Sequence, residues 1–161
     1  MNERFVLSAV QAGRSSVHVW GAIWTGGRSE LVCLVGNVNA QRYCKILHEF
    51  FSTTVFPPYF RFQQDNAPAH RAWITTQLLE DVNVHVLPWP ARSPDLNPIE
   101  HVWDILGRRM QHRAPQSLNE LFDALEEEWH AIPQEDLDAL IASMPRRVGA
   151  VISKKGGNTR Y

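Results

Sequence analysis

The spacing of apolar positions changes several times along the chain, and each change predicts an element. Val17, Val19, Gly21 and Ile23 alternate with His18, Trp20 and Ala22, the two-residue period of a strand that is apolar on both faces. Thr25-Gly26-Gly27-Arg28 follows, with glycines to supply the positive φ of a hairpin turn. Residues 29–35 then return, so an antiparallel hairpin is expected between Ser16 and Val35. Beyond it the period lengthens: Tyr43, Ile46, Leu47 and Phe50 stand at i, i+3, i+4 and i+7, a helix that Asn39 can cap and that closes before Pro57-Pro58. Tyr59, Phe60 and Phe62 predict a strand with Asp65 at its C-terminal end. Asn66-Ala67-Pro68 turns the chain, and Pro68 suits the first position of a helix reaching about Glu80. Val82 to Leu87 reads as a further strand, and Phe5 to Val10 fits either a short strand or a helical turn.

The second half is helical in pattern. Pro88, Pro90, Pro94 and Pro98 stiffen a loop that delivers Glu100 to the first turn of a helix burying Ile99, Val102, Trp103, Leu106 and Met110. Glu100, Asp104 and Arg108 lie beside that stripe at i, i+4 spacing. Ser117-Leu118-Asn119-Glu120 is a capping box, opening a helix with Leu118, Leu121, Phe122, Leu125 and Trp129 inward. Gln134 to Ser143 is helical too, and Arg146, Arg147, Lys154, Lys155 and Arg160 form a basic tail. The 34 residues from 66 to 99 hold a helix and a strand, the crossover that parallel or mixed sheets require. An α/β fold follows. At 161 residues and 44% apolar content, residues 1–161 fit one domain with a real core.

Charge narrows the picture only slightly. A formal net charge of −1 leaves any contact with nucleic acid to local patches. Cys33 and Cys44 form no ligand pattern and read as two buried thiols in an intracellular protein. No apolar run has the length of a membrane span, and the N-terminal apolar core is too short for a signal peptide.

The candidate chemistry rests on two carboxylates, Asp65 from a strand end and Glu100 from a helix start. Such oxygens at the edge of an α/β sheet suit Mg²⁺-assisted phosphodiester chemistry, because a hard cation takes oxygen ligands and keeps waters for a substrate phosphate. Each acid also has an ordinary use. Asn97-Pro98-Ile99-Glu100 is an N-cap, N1 proline and N3 glutamate arrangement, and Asp65 can serve its own turn. Asp95 reads as a loop-fixing residue and Asp104 as a solvated helix position. His70 and His101 adjoin the acids and read as supporting or surface histidines, with contact to a phosphate or a metal-bound water as the alternative, and Asn66 can orient Asp65 or satisfy its turn. The six tryptophans fall mostly at core spacings, with Trp89 able to stack on a base.

QQDNAPAH at 63–70 and WPARSPDLNPIEHVW at 89–103, in that order and at that separation, resemble the catalytic domain of mariner-like (Tc/mariner superfamily) DDE transposases. The resemblance runs from about Ser16 to the closing KKGGNTRY. It implies an RNase H-like mixed sheet flanked by helices, and an Asp, Asp, Glu triad holding two divalent ions, Mg²⁺ or Mn²⁺. It also implies cutting of DNA, with a 3′ hydroxyl joined to a new phosphate. By resemblance Asp65 is the second acid and Glu100 the third, both as catalytic residues and as metal ligands. DNA is the implied partner, a homodimer the implied assembly and the nucleus the implied location, with no membrane and no small-molecule substrate.

The family places its first acid on a strand ahead of the hairpin. Here only Glu3 precedes Glu30; Glu3 follows no apolar strand, and Glu30 comes just after the glycine turn. No residue is therefore assigned as the first acid. The resulting expectation is one catalytic domain over 1–161, incomplete at the N-terminus, lacking the first strand and a helix-turn-helix domain. Metal binding would be weak and the chain inactive alone, since a bridging carboxylate organises a two-metal site. The alternatives are a non-enzymatic, domesticated module that binds nucleic acid or a protein, and a different RNase H-like nuclease.

Overall fold

A computed structural model describes residues 17–57, 59–90, 93 and 96–154. They fall into two compact units, one of the described residues between 37 and 90 and one combining 17–36 with those between 93 and 154.

The second of these units carries the expected hairpin in interrupted form. β1 (Val17–Trp20) pairs antiparallel with β4 (Val32–Val35) in the register Val17↔Val35 to Trp20↔Val32, and β2 (Ile23–Trp24) pairs with β3 (Gly27–Arg28). Thr25-Gly26 is thus the two-residue turn, with Gly26 at φ +82°. A single strand over 17–24 does not form, because Gly21 passes against the indoles of Trp129 and Trp103. A Cβ there would meet Trp129 at 3.0 Å, and the Ser29 hydroxyl takes the Ala22 N–H at 2.8 Å. Ser16, the expected first residue, lies outside the described residues.

Three expected helices pack on this hairpin: α4 (Pro98–Met110), α5 (Leu118–His130) and α6 (Gln134–Ala142). Their anticipated stripes form the core with Val17 and Val19: Ile99, Val102, Trp103, Leu106, Met110, Leu121, Leu125 and Trp129 are all buried. Ser117 Oγ accepts the Glu120 N–H as a cap should, while the Glu120 carboxylate reaches the N–H of Gln116 at 2.7 Å. The hairpin tip is tied to the helix ends. The Arg28 guanidinium donates to the carbonyls of Trp129 and Ile132, both at 2.6 Å, satisfying groups the C-terminus of α5 leaves open. The expected basic tail is in part a seventh helix, α7 (Met144–Ser153). Its Arg147 is buried at 2% exposure, bonded to Ser143 Oγ at 2.7 Å and to His101 Nδ1 at 3.4 Å. Lys155 and Arg160 lie outside the described residues, as do residues 1–16 with their Phe5–Val10 segment.

The other unit is built on α1 (Ala40–Thr53), capped by Asn39 Oδ1 from the Arg42 N–H and burying Tyr43, Ile46, Leu47 and Phe50. The two strands anticipated here reduce to one parallel bridge, Phe62↔Val86, with Phe62 N–H donating to His85 O and Leu87 N–H to Phe62 O. Competing bonds explain the loss. Upstream, the Phe60 N–H turns back to Pro57 O. Downstream, Asn83 takes a left-handed conformation (φ 55°), and the bonds Asn83 N–H to Glu80 O and Val84 N–H to Leu79 O close the preceding helix in a Schellman cap. Tyr59 is 78% exposed, while Phe60 and Phe62 join Phe50, Phe51 and Phe56 in a ring cluster.

The helix expected from Pro68 to Glu80 is two: α2 (Pro68–Arg71) and α3 (Trp73–Asp81), broken at Ala72 (ψ 142°). The fully buried Thr75 holds the break by donating its hydroxyl to Ala69 O at 2.6 Å. Trp73, at 75% exposure, departs from the expectation that spacing puts it in the core. Cys33 and Cys44 are half-buried rather than buried.

Candidate active site

QQDNAPAH folds around the carboxylate of Asp65. The chain leaves the Phe62 bridge at Gln63, and Gln64 is anchored by Tyr43 of α1, whose hydroxyl donates to its Oε1 at 2.8 Å. Asp65 Oδ1 accepts two bonds, from the Ala67 N–H at 2.9 Å and from His70 Nδ1 at 2.7 Å. A carboxylate only accepts, so His70 carries its proton on Nδ1. The first bond is the Asx turn that residue type suggests. The second requires His70 to be buried, and it is, at 4% exposure with its ring 4.2 Å from that of Tyr43. Pro68 at the start of α2 bends the chain so that His70, five residues on, returns to Asp65. His70 is therefore a buried support for the acid, the first of its two readings. Asn66 turns away, donating to Trp89 O at 2.8 Å; it fixes the proline loop and makes neither of the bonds to Asp65.

Burial alone pushes the Asp65 carboxyl up. The His70 and Ala67 hydrogen bonds, with the charge of His70, outweigh it and hold the group below the ordinary carboxylate value. Asp65 is ionised at neutral pH, half-buried, and its Oδ2 accepts no hydrogen bond among the described residues.

Glu100 lies in the other unit, in the first turn of α4 and half-buried. Its ordinary explanation is only partly realised. Pro98 is at the first helical position, but the Asn97 side chain makes no cap bond and instead points Nδ2 toward Glu100 Oε1 at 3.5 Å. Ile99 and Val102 are buried on either side in sequence, which fixes the turn that presents Glu100. Next to it, His101 Nδ1 accepts from the buried Arg147 of α7, 46 residues on, a contact that no local pattern marks. Asp104 is exposed, as expected of a solvated position, and Asp95 lies outside the described residues. Glu30, in the β3–β4 connection, is drawn to α5, where His130 Nε2 is 3.2 Å from its Oε2.

Within its own unit, the ionised Asp65 carboxylate, with Oδ2 accepting no hydrogen bond among the described residues, is the kind of oxygen donor a hard divalent cation takes.

Residues 3–122 match the family of DDE superfamily endonucleases. The chain belongs to that family. Within it this DDE domain is of the Tc1/mariner transposase kind. It is 37% identical over 155 residues to the transposase of transposable element Tcb1 from Caenorhabditis briggsae, a match covering 94% of this chain and 57% of that protein. The chain thus spans less than three-fifths of that relative's length. Among solved structures, the Mos1 transposase catalytic domain with raltegravir and Mg is similar at a TM-score of 0.78 and 28% identity, over 91% of this chain and 77% of that one. The Mos1 mariner paired-end complex with Mn is similar at 0.76 and 27%, over 91% and 45%. The RNase H-like α/β fold expected of this DDE domain is shown by these matches.

Proposed function

We propose that this DDE domain is the catalytic part of a DNA transposase, with Asp65 and Glu100 as ligands of Mg²⁺ or Mn²⁺ and as two of three catalytic carboxylates. The observation that carries the assignment is the build of QQDNAPAH. Tyr43, Gln64, Pro68 and His70 together spend Asp65 Oδ1 on fixed donors and leave Oδ2 open. That is the arrangement of a side chain held still for a ligand. Bound ions would supply activation of a nucleophilic oxygen and charge neutralisation at a scissile phosphodiester. The chain's own part is to orient: His70 fixes the Asp65 rotamer, and the first turn of α4, tied to α7 through His101 and Arg147, presents Glu100. Mos1, solved in a paired-end complex with Mn, supports DNA as the partner and a dimer on paired ends as the working assembly; we place the action in the nucleus because that is where a DNA partner would be met.

Among the described residues we assign no carboxylate to the first acid's place: Glu30 is engaged with His130 on α5. The isolated chain is therefore expected to bind Mn²⁺ weakly and not to cleave DNA. Calorimetric titration with Mn²⁺ tests the ligands: Asp65→Asn and Glu100→Gln should each reduce the heat of binding, and unchanged isotherms for both would reject the assignment. Nicking of supercoiled plasmid tests the rest. Robust Mn²⁺-dependent nicking, abolished by both substitutions, would keep the ligands and overturn the inactivity.

A further inference from the structure

Outside the acids assigned above, the described residues bring one set of three metal-ligating side chains together. Oxygens of Glu30 and Glu126 and a ring nitrogen of His130 lie within 4.8 Å of one another. Glu126 and His130 are four apart on α5, so they share one face of the helix. Glu30 comes from the β3–β4 connection, and its backbone is placed by buried contacts. The Trp129 indole N–H donates to Ser29 O at 2.9 Å, the Ser29 hydroxyl to Glu30 O at 2.7 Å, and Ser29 N–H to Ala22 O. The third group is thus held against the helix by a scaffold that does not depend on its side chain.

We propose that Glu30, Glu126 and His130 form a solvent-facing Zn²⁺ site that clasps the hairpin to α5. One imidazole with two carboxylates is a nitrogen and oxygen set, which Zn²⁺ accepts and Mg²⁺, preferring all-oxygen octahedra, does not. The spacing fits as well. Neighbouring ligand atoms around a tetrahedral Zn²⁺ stand about 3.4 Å apart, and His130 Nε2 is 3.2 Å from Glu30 Oε2. Glu126 closes the third position by rotating its exposed side chain, and the fourth is left to water. In the bound form the metal takes the place of the His130–Glu30 hydrogen bond at Nε2, with the ring's proton on Nδ1.

Calorimetric titration of the intact chain with Zn²⁺ should show one site whose affinity falls by at least about tenfold, or ~1.4 kcal/mol, in His130→Ala and in Glu126→Gln. Asp65→Asn and Glu100→Gln should leave it unchanged, which separates this site from the one proposed above. Both test residues are exposed, so the variants should fold, and their melting curves without metal verify it. A rise in Tm with Zn²⁺ that persists in His130→Ala, or a Zn²⁺ isotherm indifferent to both substitutions, would overturn the site. Zinc binding lost only in Asp65→Asn would do the same.

Discussion

Asp65 links ionisation to folding, because two donors converge on its Oδ1 only in the folded chain. Its carboxyl is held below the ordinary value, so the stabilisation is fully present above the unfolded value of about 3.9 and is lost as pH falls through the lower folded value. Melting temperature should therefore drop more steeply below about pH 4 in the native chain than in Asp65→Asn; parallel curves would show that the His70 contact contributes nothing. Cys33 behaves in the opposite sense. Burial, with Glu126 adding to it, pushes its thiol up to about 11, and since the thiolate is the nucleophile, alkylation of Cys33 in a Cys44→Ser chain should be slow at pH 8 and keep accelerating to about pH 11. A rate already at its plateau by pH 9 would contradict that environment. At this scale the sequence marked Asp65 and Glu100 by residue type and neighbours. It did not assign the bond from His70, because a buried and a surface histidine look alike in a string.

The elements divide by how local their causes are. α1, α4 and α5 match their apolar stripes, since each stripe has one core to face and a nearby start signal in Asn39, Pro98 or Ser117. The expected strands at 59–65 and 82–87 shrank to one bridge, because turn and cap bonds consumed the same N–H and C=O groups the ladder needed. The continuous helix from Pro68 failed for a related reason: Thr75 gives its hydroxyl to Ala69 O, a bond that serves the break. Thr75→Val keeps the shape and removes that bond, and should cost about 1 kcal/mol in urea unfolding. An unchanged or raised stability would mean the break is set by Ala72 alone. α7 was missed because its face is mixed, and its buried member is an arginine.

Across the whole molecule, two buried tryptophans show what packing alone decides. Trp103 and Trp129 stack with centroids 5.4 Å apart, and both read as core from their spacing. Trp129 donates to Ser29 O and crowds Gly21, whereas the buried Trp103 indole nitrogen has no hydrogen-bond partner among the described residues. Trp129→Phe strands a buried carbonyl and opens a cavity, so it should cost about 3 kcal/mol. Trp103→Phe, which removes an orphan donor, should cost less than half of that; equal losses in chemical denaturation would refute the distinction. The chain by itself determined its helical stripes, the hairpin turn and the two acidic motifs, along with the family they signal, because these rest on periodicity and on residues within a few positions of each other. Only the tertiary structure decided which oxygen of Asp65 is spent, where Glu30 goes and that Arg147 is buried. Those outcomes depend on contacts between groups from 5 to 100 residues apart, and no local pattern encodes which distant partner will satisfy a polar atom.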